Sequence, residues 1–163
     1  MSEDAERQAL AWIVGLLRDL GILFQGVGGL AARAYGATRP LVDLDFYVPT
    51  SRLAEVAAAA ADRVVRPPTR HRDDDWDITF MALEHDGVRI ELGGADDARY
   101  FDRSAGCWRD VAIDYGAAQV LEVLGVDVPL MARTELIAYK QALDRPVDRR
   151  DLKEILPRAG APD

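Results

Sequence analysis

The sequence predicts a mixed α/β (α+β) domain: a mixed β-sheet flanked by helices, with further helices at the C-terminal end. Three observations carry this. The chain opens on a stretch of helical period. Its middle holds short apolar runs separated by glycine, among them a hairpin pattern around Asp86-Gly87. Its end returns to helical period after Thr134.

Taken in order, Ala5 to Leu20 is the first helix, with Leu10, Ile13, Leu16, Leu17 and Leu20 as its apolar stripe and Gly21 as its stop. Ile22 to Val27 reads as a short buried strand. Leu30 to Tyr35 is a helix of small residues closed by Gly36, and Asp43 to Val48 is the second strand. Thr50 or Ser51 is positioned to cap an alanine-rich helix running to about Asp62. Arg63 to Asp75 is polar, contains Pro67-Pro68 and is expected to be a loop. Ile78 to Leu83 and Val88 to Leu92 form the hairpin. A further strand pair is expected between Val111 and Met131, interrupted at Gly116 and at Gly125-Val126-Asp127. Thr134 is expected to cap a helix to Leu143, and Val147 to Leu156 makes the last one.

The 163 residues suit one domain, with a core over about residues 21–131 and a helical tail over about residues 133–157. A chain that is 49% hydrophobic and 29% charged fits a soluble globular protein. Its net charge of −8 argues against a broad phosphate-binding surface and favours a cationic or neutral small acceptor. Cys107 is the single cysteine, so no intramolecular disulfide forms. The N-terminal stretch has no basic leader or cleavage site, and no run approaches membrane-spanning length, so the cytoplasm is the expected location.

The run from Gly26 to Pro49 is the most informative. Alternation along a strand puts Leu44, Phe46 and Val48 on one face and Asp43, Asp45 and Tyr47 on the other. Two carboxylates on one face repel unless a cation sits between them, and hard cations such as Mg²⁺ prefer carboxylate ligands. Glu91, between the apolar Ile90 and Leu92 on the hairpin's second arm, is the best placed third carboxylate. Gly28-Gly29 leaves backbone N–H groups free for a phosphate. Taken singly, an Asp-x-Asp or a lone glutamate is commonly a solvated strand residue, and a Gly-Gly pair is commonly a tight turn. Their joint order points to metal-assisted chemistry on a nucleoside triphosphate.

These residues resemble the nucleotidyltransferases of the DNA polymerase β superfamily. The family pattern, a hydrophobic residue, Gly, then Gly or Ser, a spacer and Asp-x-Asp/Glu, is met by Val27-Gly28-Gly29 and Asp43-Leu44-Asp45. The resemblance implies that Asp43 and Asp45 bind a divalent metal and that Glu91 completes that site or acts as general base. The tail, Lys140 followed by Arg145-Pro146-Val147-Asp148-Arg149-Arg150-Asp151, is similar to the ending of small bacterial lincosamide and aminoglycoside nucleotidyltransferases and of nucleotidyltransferase toxins. Lys140 would then pair with triphosphate oxygens, or stand as an exposed helix lysine; Asp148 and Asp151 would hold Lys140, Arg145 or the first helix in place. Two positions depart from the relatives: Leu41, where many toxins carry Thr, and Leu30, where antibiotic-modifying enzymes often carry Trp.

Arg39 reads as a phosphate ligand or as the partner of an acidic neighbour, and Arg33 as a triphosphate contact or an exposed arginine. His71 and His85 have no zinc spacing and read as solvated. Arg63, Arg66, Arg70 and Arg72 could hold an RNA backbone, but the adjacent Asp73-Asp74-Asp75 offsets them. Trp76, Phe101 and Trp108 are candidates for an acceptor pocket or for packing. The expected activity is metal-dependent transfer of a nucleoside monophosphate from an NTP such as ATP to a hydroxyl of a small molecule, releasing pyrophosphate. Asp43, Asp45 and Glu91 would be catalytic and metal-binding, and Gly28, Gly29, Arg39 and Lys140 would bind the nucleotide. The alternatives are a tRNA-directed toxin held by an antitoxin, and a non-catalytic nucleotide-binding or interaction protein. A homodimer is a further expectation.

Overall fold

Two glycine turns set the frame of the sheet. Asp86 (φ 47) and Gly87 (φ 83) both lie in the left-handed region, the tight turn that an Asp-Gly pair favours between antiparallel strands. Leu124 (φ 51) and Gly125 (φ 78) repeat that geometry in a second hairpin. The computed structural model describes residues 2–157 and joins nine strands in one mixed sheet. They are β1 (Gln25–Val27), β2 (Leu44–Val48), β3 (Val64–Arg72), β4 (Trp76–His85), β5 (Val88–Gly94), β6 (Arg99–Asp102), β7 (Cys107–Asp110), β8 (Gln119–Val123) and β9 (Val126–Leu130). Their order is β7-β6-β4-β5-β2-β1-β9-β8, with β3 on the other side of β4. Only β1/β9 and β2/β5 run parallel.

The helices are α1 (Glu3–Asp19), α2 (Gly28–Ala34), α3 (Leu53–Ala59), α4 (Arg133–Leu143) and α5 (Pro146–Ile155). Ser2 caps α1 by accepting from the Ala5 N–H, and Gly21 (φ 65) ends it as read. Leu10, Ile13 and Leu17 of α1 are buried with Leu44, Phe46 and Val48 of β2, Met81 and Leu83 of β4, and Ile90 and Leu92 of β5. The alternation expected for β2 therefore holds: its apolar residues enter the core and leave Asp45 on the opposite face.

Several elements differ from expectation. The polar run from Arg63 to Asp75 is largely strand β3 rather than a loop. It is an edge strand paired only with β4, and its register shifts between Arg66 and Thr69, around Pro67-Pro68. A proline at an irregular edge removes no ladder bond that the sheet needs. The short β6–β7 hairpin was not anticipated, because four-residue strands rich in charge carry no periodic signal. Thr50 opens a 3₁₀ turn (Thr50–Arg52) instead of capping α3, its hydroxyl and N–H bonding Asp96. The alanine-rich helix ends at Ala59. Thr134 lies inside α4, whose N-cap is Ala132 without a side-chain bond.

The α4–α5 corner is held by charge. Asp144 is left-handed (φ 49), Pro146 opens α5, and the Asp148 carboxylate accepts from the Arg145 N–H at 3.1 Å. Asp148 also takes the Arg145 guanidinium at 2.7 and 3.1 Å, and Asp151 takes that of Arg39 at 2.7 and 3.1 Å. Between them the Lys140 ammonium lies 3.2 Å from Asp148 and 2.9 Å from Asp151, its side chain 2% exposed and both carboxylates fully buried. Burial by itself would raise the Asp151 carboxyl, but the hydrogen bonds and charges of Arg39 and Lys140 outweigh it and hold it below the usual range.

Removing one partner of such a network strands a buried charge. Lys140→Met is expected to lower the unfolding free energy by about 3 kcal/mol in urea denaturation; a loss under about 1 kcal/mol would show that the pairs act as solvated ones. A depressed carboxyl stabilises the fold above the usual carboxylate range, and that contribution disappears as the pH falls through its lowered value. Asp151→Asn should therefore flatten the acid limb of the melting temperature, followed from about pH 7 to about pH 3. An acid limb as steep as that of the wild type would remove Asp151 from this role.

Candidate active site

At the end of β1 the chain turns at Gly28 (φ 58) straight into α2. Gly28 suits the left-handed turn, and both glycines stand in close quarters. A Cβ on Gly28 would fall 2.7 Å from an Asp45 carboxylate oxygen, and one on Gly29 would fall 2.6 Å from the Arg39 guanidinium. The pair thus sits between an anion on β2 and a cation on the loop before it.

Strand register assembles the carboxylates. β2 and β5 run parallel with Asp45 opposite Glu91, and Asp43 lies two residues before Asp45. One carboxylate oxygen from each of Asp43, Asp45 and Glu91 lies within 4.8 Å of the others. Burial, then the charges of Asp43 and Glu91, push the Asp45 carboxyl well above its usual value. Burial and the neighbouring Asp43 likewise raise Glu91, against the lowering effect of Arg89 at 3.3 Å. An all-oxygen set with raised carboxyls takes up either protons or a hard cation, and its donor chemistry fits Mg²⁺.

A cavity of about 400 Å³ opens over this cluster. Three cations border it, Arg39 against Gly29 together with Lys140 and Arg145. These cations are not equally available. All three are engaged with Asp148 or Asp151, but the Lys140 and Arg39 side chains are 2% and 11% exposed and that of Arg145 is 30% exposed. Arg145 stands out only in the folded chain, where the α5 N-terminus brings it over the Trp76 ring, 5.9 Å from the centroid.

The rest of the wall is aromatic and aliphatic, with Val42, Ile78 and Val147 beside the rings. Tyr47 and Tyr139 share a hydroxyl–hydroxyl hydrogen bond of 2.7 Å, and burial raises both far above the usual phenol range, so they stay neutral. Trp76 and Tyr100 pack on Tyr139 at 5.9 and 5.0 Å. Phe80 and His71 continue the wall. His71 is thus not a solvated loop residue: it lies half-buried on β3, bonded to Asp73 at 2.8 Å and edge-on to Phe80 at 5.6 Å. Its signal was hidden by Pro67-Pro68, which masks the strand. His85 packs against Trp12 at 5.2 Å. Of the three aromatic candidates Trp76 lines the cavity, while Phe101 and Trp108 pack on each other in the β6–β7 hairpin. Arg33 bonds the Arg39 carbonyl at 3.0 Å and so steadies the loop.

The basic stretch is engaged within the fold. Arg63 lies over Trp12 and Arg66 over Phe80, at 5.1 and 4.2 Å from the ring centroids. Arg70 pairs with Asp77 at 2.9 Å, and Arg72 reaches Asp77 at 4.0 Å and the Trp108 ring at 5.6 Å.

No protein-family model and no curated protein matches the sequence. Solved structures do. A Thermotoga maritima protein assigned to the nucleotidyltransferases superposes with a TM-score of 0.69 over 85% of each chain at 20% identity. The lincosamide antibiotic adenylyltransferase LnuA, solved with lincomycin bound, gives 0.59 at 13% identity, covering 91% of this chain and 94% of that one. The antibiotic-resistance factor ANT(2'')-Ia, in complex with adenylyl-2''-tobramycin, gives 0.57 at 16% identity over 91% of this chain and 88% of its own. The superpositions cover between 85% and 91% of the present chain. The chain has the nucleotidyltransferase fold.

Proposed function

We propose that this protein is a metal-dependent nucleotidyltransferase that moves a nucleoside monophosphate from an NTP to a hydroxyl of a small molecule. The observation that carries the reading is the Asp43–Asp45–Glu91 cluster set directly beside the side-chain-free Gly28-Gly29 turn. Asp43 and Asp45 would hold Mg²⁺, which when bound neutralises the triphosphate and polarises its α-phosphorus. The turn lets phosphate oxygens approach the backbone closely. Arg145, the most exposed of the three bordering cations, meets the leaving pyrophosphate, and Arg39 and Lys140 add charge from beneath. Three cations against two carboxylates leave this corner with one positive charge in excess.

Glu91 stands on the strand beyond Asp45 and accepts the proton of the attacking hydroxyl, a task that its raised pKa suits. The acceptor oxygen forms a bond to the α-phosphorus as the bond to pyrophosphate breaks. Two observations favour a small acceptor over RNA. The arginines of β3 are engaged with rings and with Asp77, and similar structures hold lincomycin and adenylyl-2''-tobramycin.

Calorimetric titration of each NTP with Mg²⁺ is the direct test. Binding is expected for the wild type and absent for Asp43→Asn/Asp45→Asn, with pyrophosphate release lower by at least about a hundredfold. Equal binding by both proteins would overturn the metal assignment.

A second test needs no acceptor. Carboxyls raised in the fold contribute stability at low pH and lose it as the pH rises through their raised values, so the metal-free cluster strains the fold at neutral pH. Asp45→Asn should gain about 1 kcal/mol, seen as a melting point about 2–4 °C higher without metal. Mg²⁺ should raise the melting point of the wild type and not that of the variant. Equal Mg²⁺ stabilisation of both would place the cation elsewhere.

A further inference from the structure

Resting on the transfer reading, we infer that the end of the cavity over β4 and β3 is the acceptor site, and that it takes an uncharged, ring-bearing alcohol. The order of the sheet supplies the direction. Side by side run β1, which ends in the Gly28 turn, β2 with Asp45, β5 with Glu91, then β4 and β3. Displacement at phosphorus places the attacking oxygen opposite the leaving group. With pyrophosphate over the Gly28-Gly29 turn, the attacking hydroxyl comes from beyond Glu91, where Phe80 faces Gly93 and His71 faces Ile78 in the register.

Room there depends on Gly93. A Cβ at that position would press to 3.0 Å on Ile78 and 3.2 Å on the Tyr47 ring, so the floor between Glu91 and Phe80 carries no side chain. The surrounding wall is Ile78, Phe80, His71 and Trp76, apolar or aromatic throughout. Its shape and polarity suit a flat ring with few charges.

Charge narrows the class further. Every carboxylate among the described residues lining the cavity belongs to the Asp43–Asp45–Glu91 cluster, and Asp73 beside the far end is engaged with His71 at 2.8 Å. A polyamine would meet like charge there, because the Arg145 guanidinium lies 5.9 Å from the Trp76 ring centroid and that of Arg66 lies 4.2 Å from the Phe80 ring centroid. The net charge of −8 had favoured a cationic or neutral acceptor, and the cavity lining narrows that to the neutral one. RNA fares no better, since Arg66 covers Phe80 and Arg70 and Arg72 turn to Asp77.

Saturation-transfer NMR on the full chain tests this with three probes: a panel of uncharged hydroxylated aromatics headed by umbelliferone, the polyamino sugar kanamycin, and an RNA hairpin with a single-stranded 3′ end. The aromatic panel is expected to bind, with affinity about tenfold lower in Phe80→Ala and in His71→Ala. Kanamycin and RNA are expected to give no signal. The partly exposed His71 keeps the test readable if Phe80→Ala folds poorly. A silent aromatic panel, binding indifferent to both substitutions, or binding of kanamycin or RNA would each overturn the assignment. Mg²⁺-dependent ATP binding is measured on the same samples. ATP binding without aromatic binding strikes the acceptor assignment alone; aromatic binding without ATP binding strikes the transfer reading.

Discussion

The parallel pairing of β2 with β5 governs both halves of this molecule. One register sets Leu44, Phe46 and Val48 beside Ile90 and Leu92 in the core and, on the reverse face, sets Asp45 beside Glu91. A slip of one residue would turn the carboxylates into the core and the apolar side chains into the cavity. Burial of large side chains such as Phe46 and Leu92, each contributing roughly 1.5–3 kcal/mol, therefore holds together a cluster of like charges that repel one another. The acidic site survives because a one-residue slip would expose the hydrophobic face.

Around that constraint the fold places two opposite imbalances of charge. On one side of the Gly28-Gly29 turn stand three carboxylates, of which Asp45 and Glu91 have raised pKa values; on the other, Arg39, Lys140 and Arg145 share two buried aspartates. Each glycine touches one imbalance, Gly28 the Asp45 carboxylate and Gly29 the Arg39 guanidinium. A cation bound with a polyphosphate has the charge distribution that relieves both. The sites are also coupled mechanically, because Asp151 ties the loop bearing Arg39 to α5, and α5 carries Arg145 at its start.

Much of this was legible in the chain. Strand alternation separated Asp43 and Asp45 from the core residues, and Asp86-Gly87 marked the hairpin whose second arm brings Glu91 to them. These features are local: a period of two and a left-handed turn leave direct marks on residue type. The edge strand β3 and the β6–β7 hairpin left none. Pro67-Pro68 and the charged residues of β6 and β7 match loop composition, and pairing with β4 and with each other makes them strands. His71 was lost with β3. Lys140 and Arg145 were visible as a motif, yet which of them stays exposed beside Asp148 and Asp151 depends on the turn between α4 and α5.

By itself the sequence determined the alternation of its strands, the turns at its glycines, and which residue types could form a metal and phosphate site. Those follow from backbone geometry within a few residues. Only the tertiary structure decided that β3 joins the sheet, that Arg145 is the more exposed cation, and that the far end of the cavity is lined by apolar and aromatic side chains and by no carboxylate. Burial and local charge are sums over residues far apart in the chain, so neither net charge nor a short motif contains them.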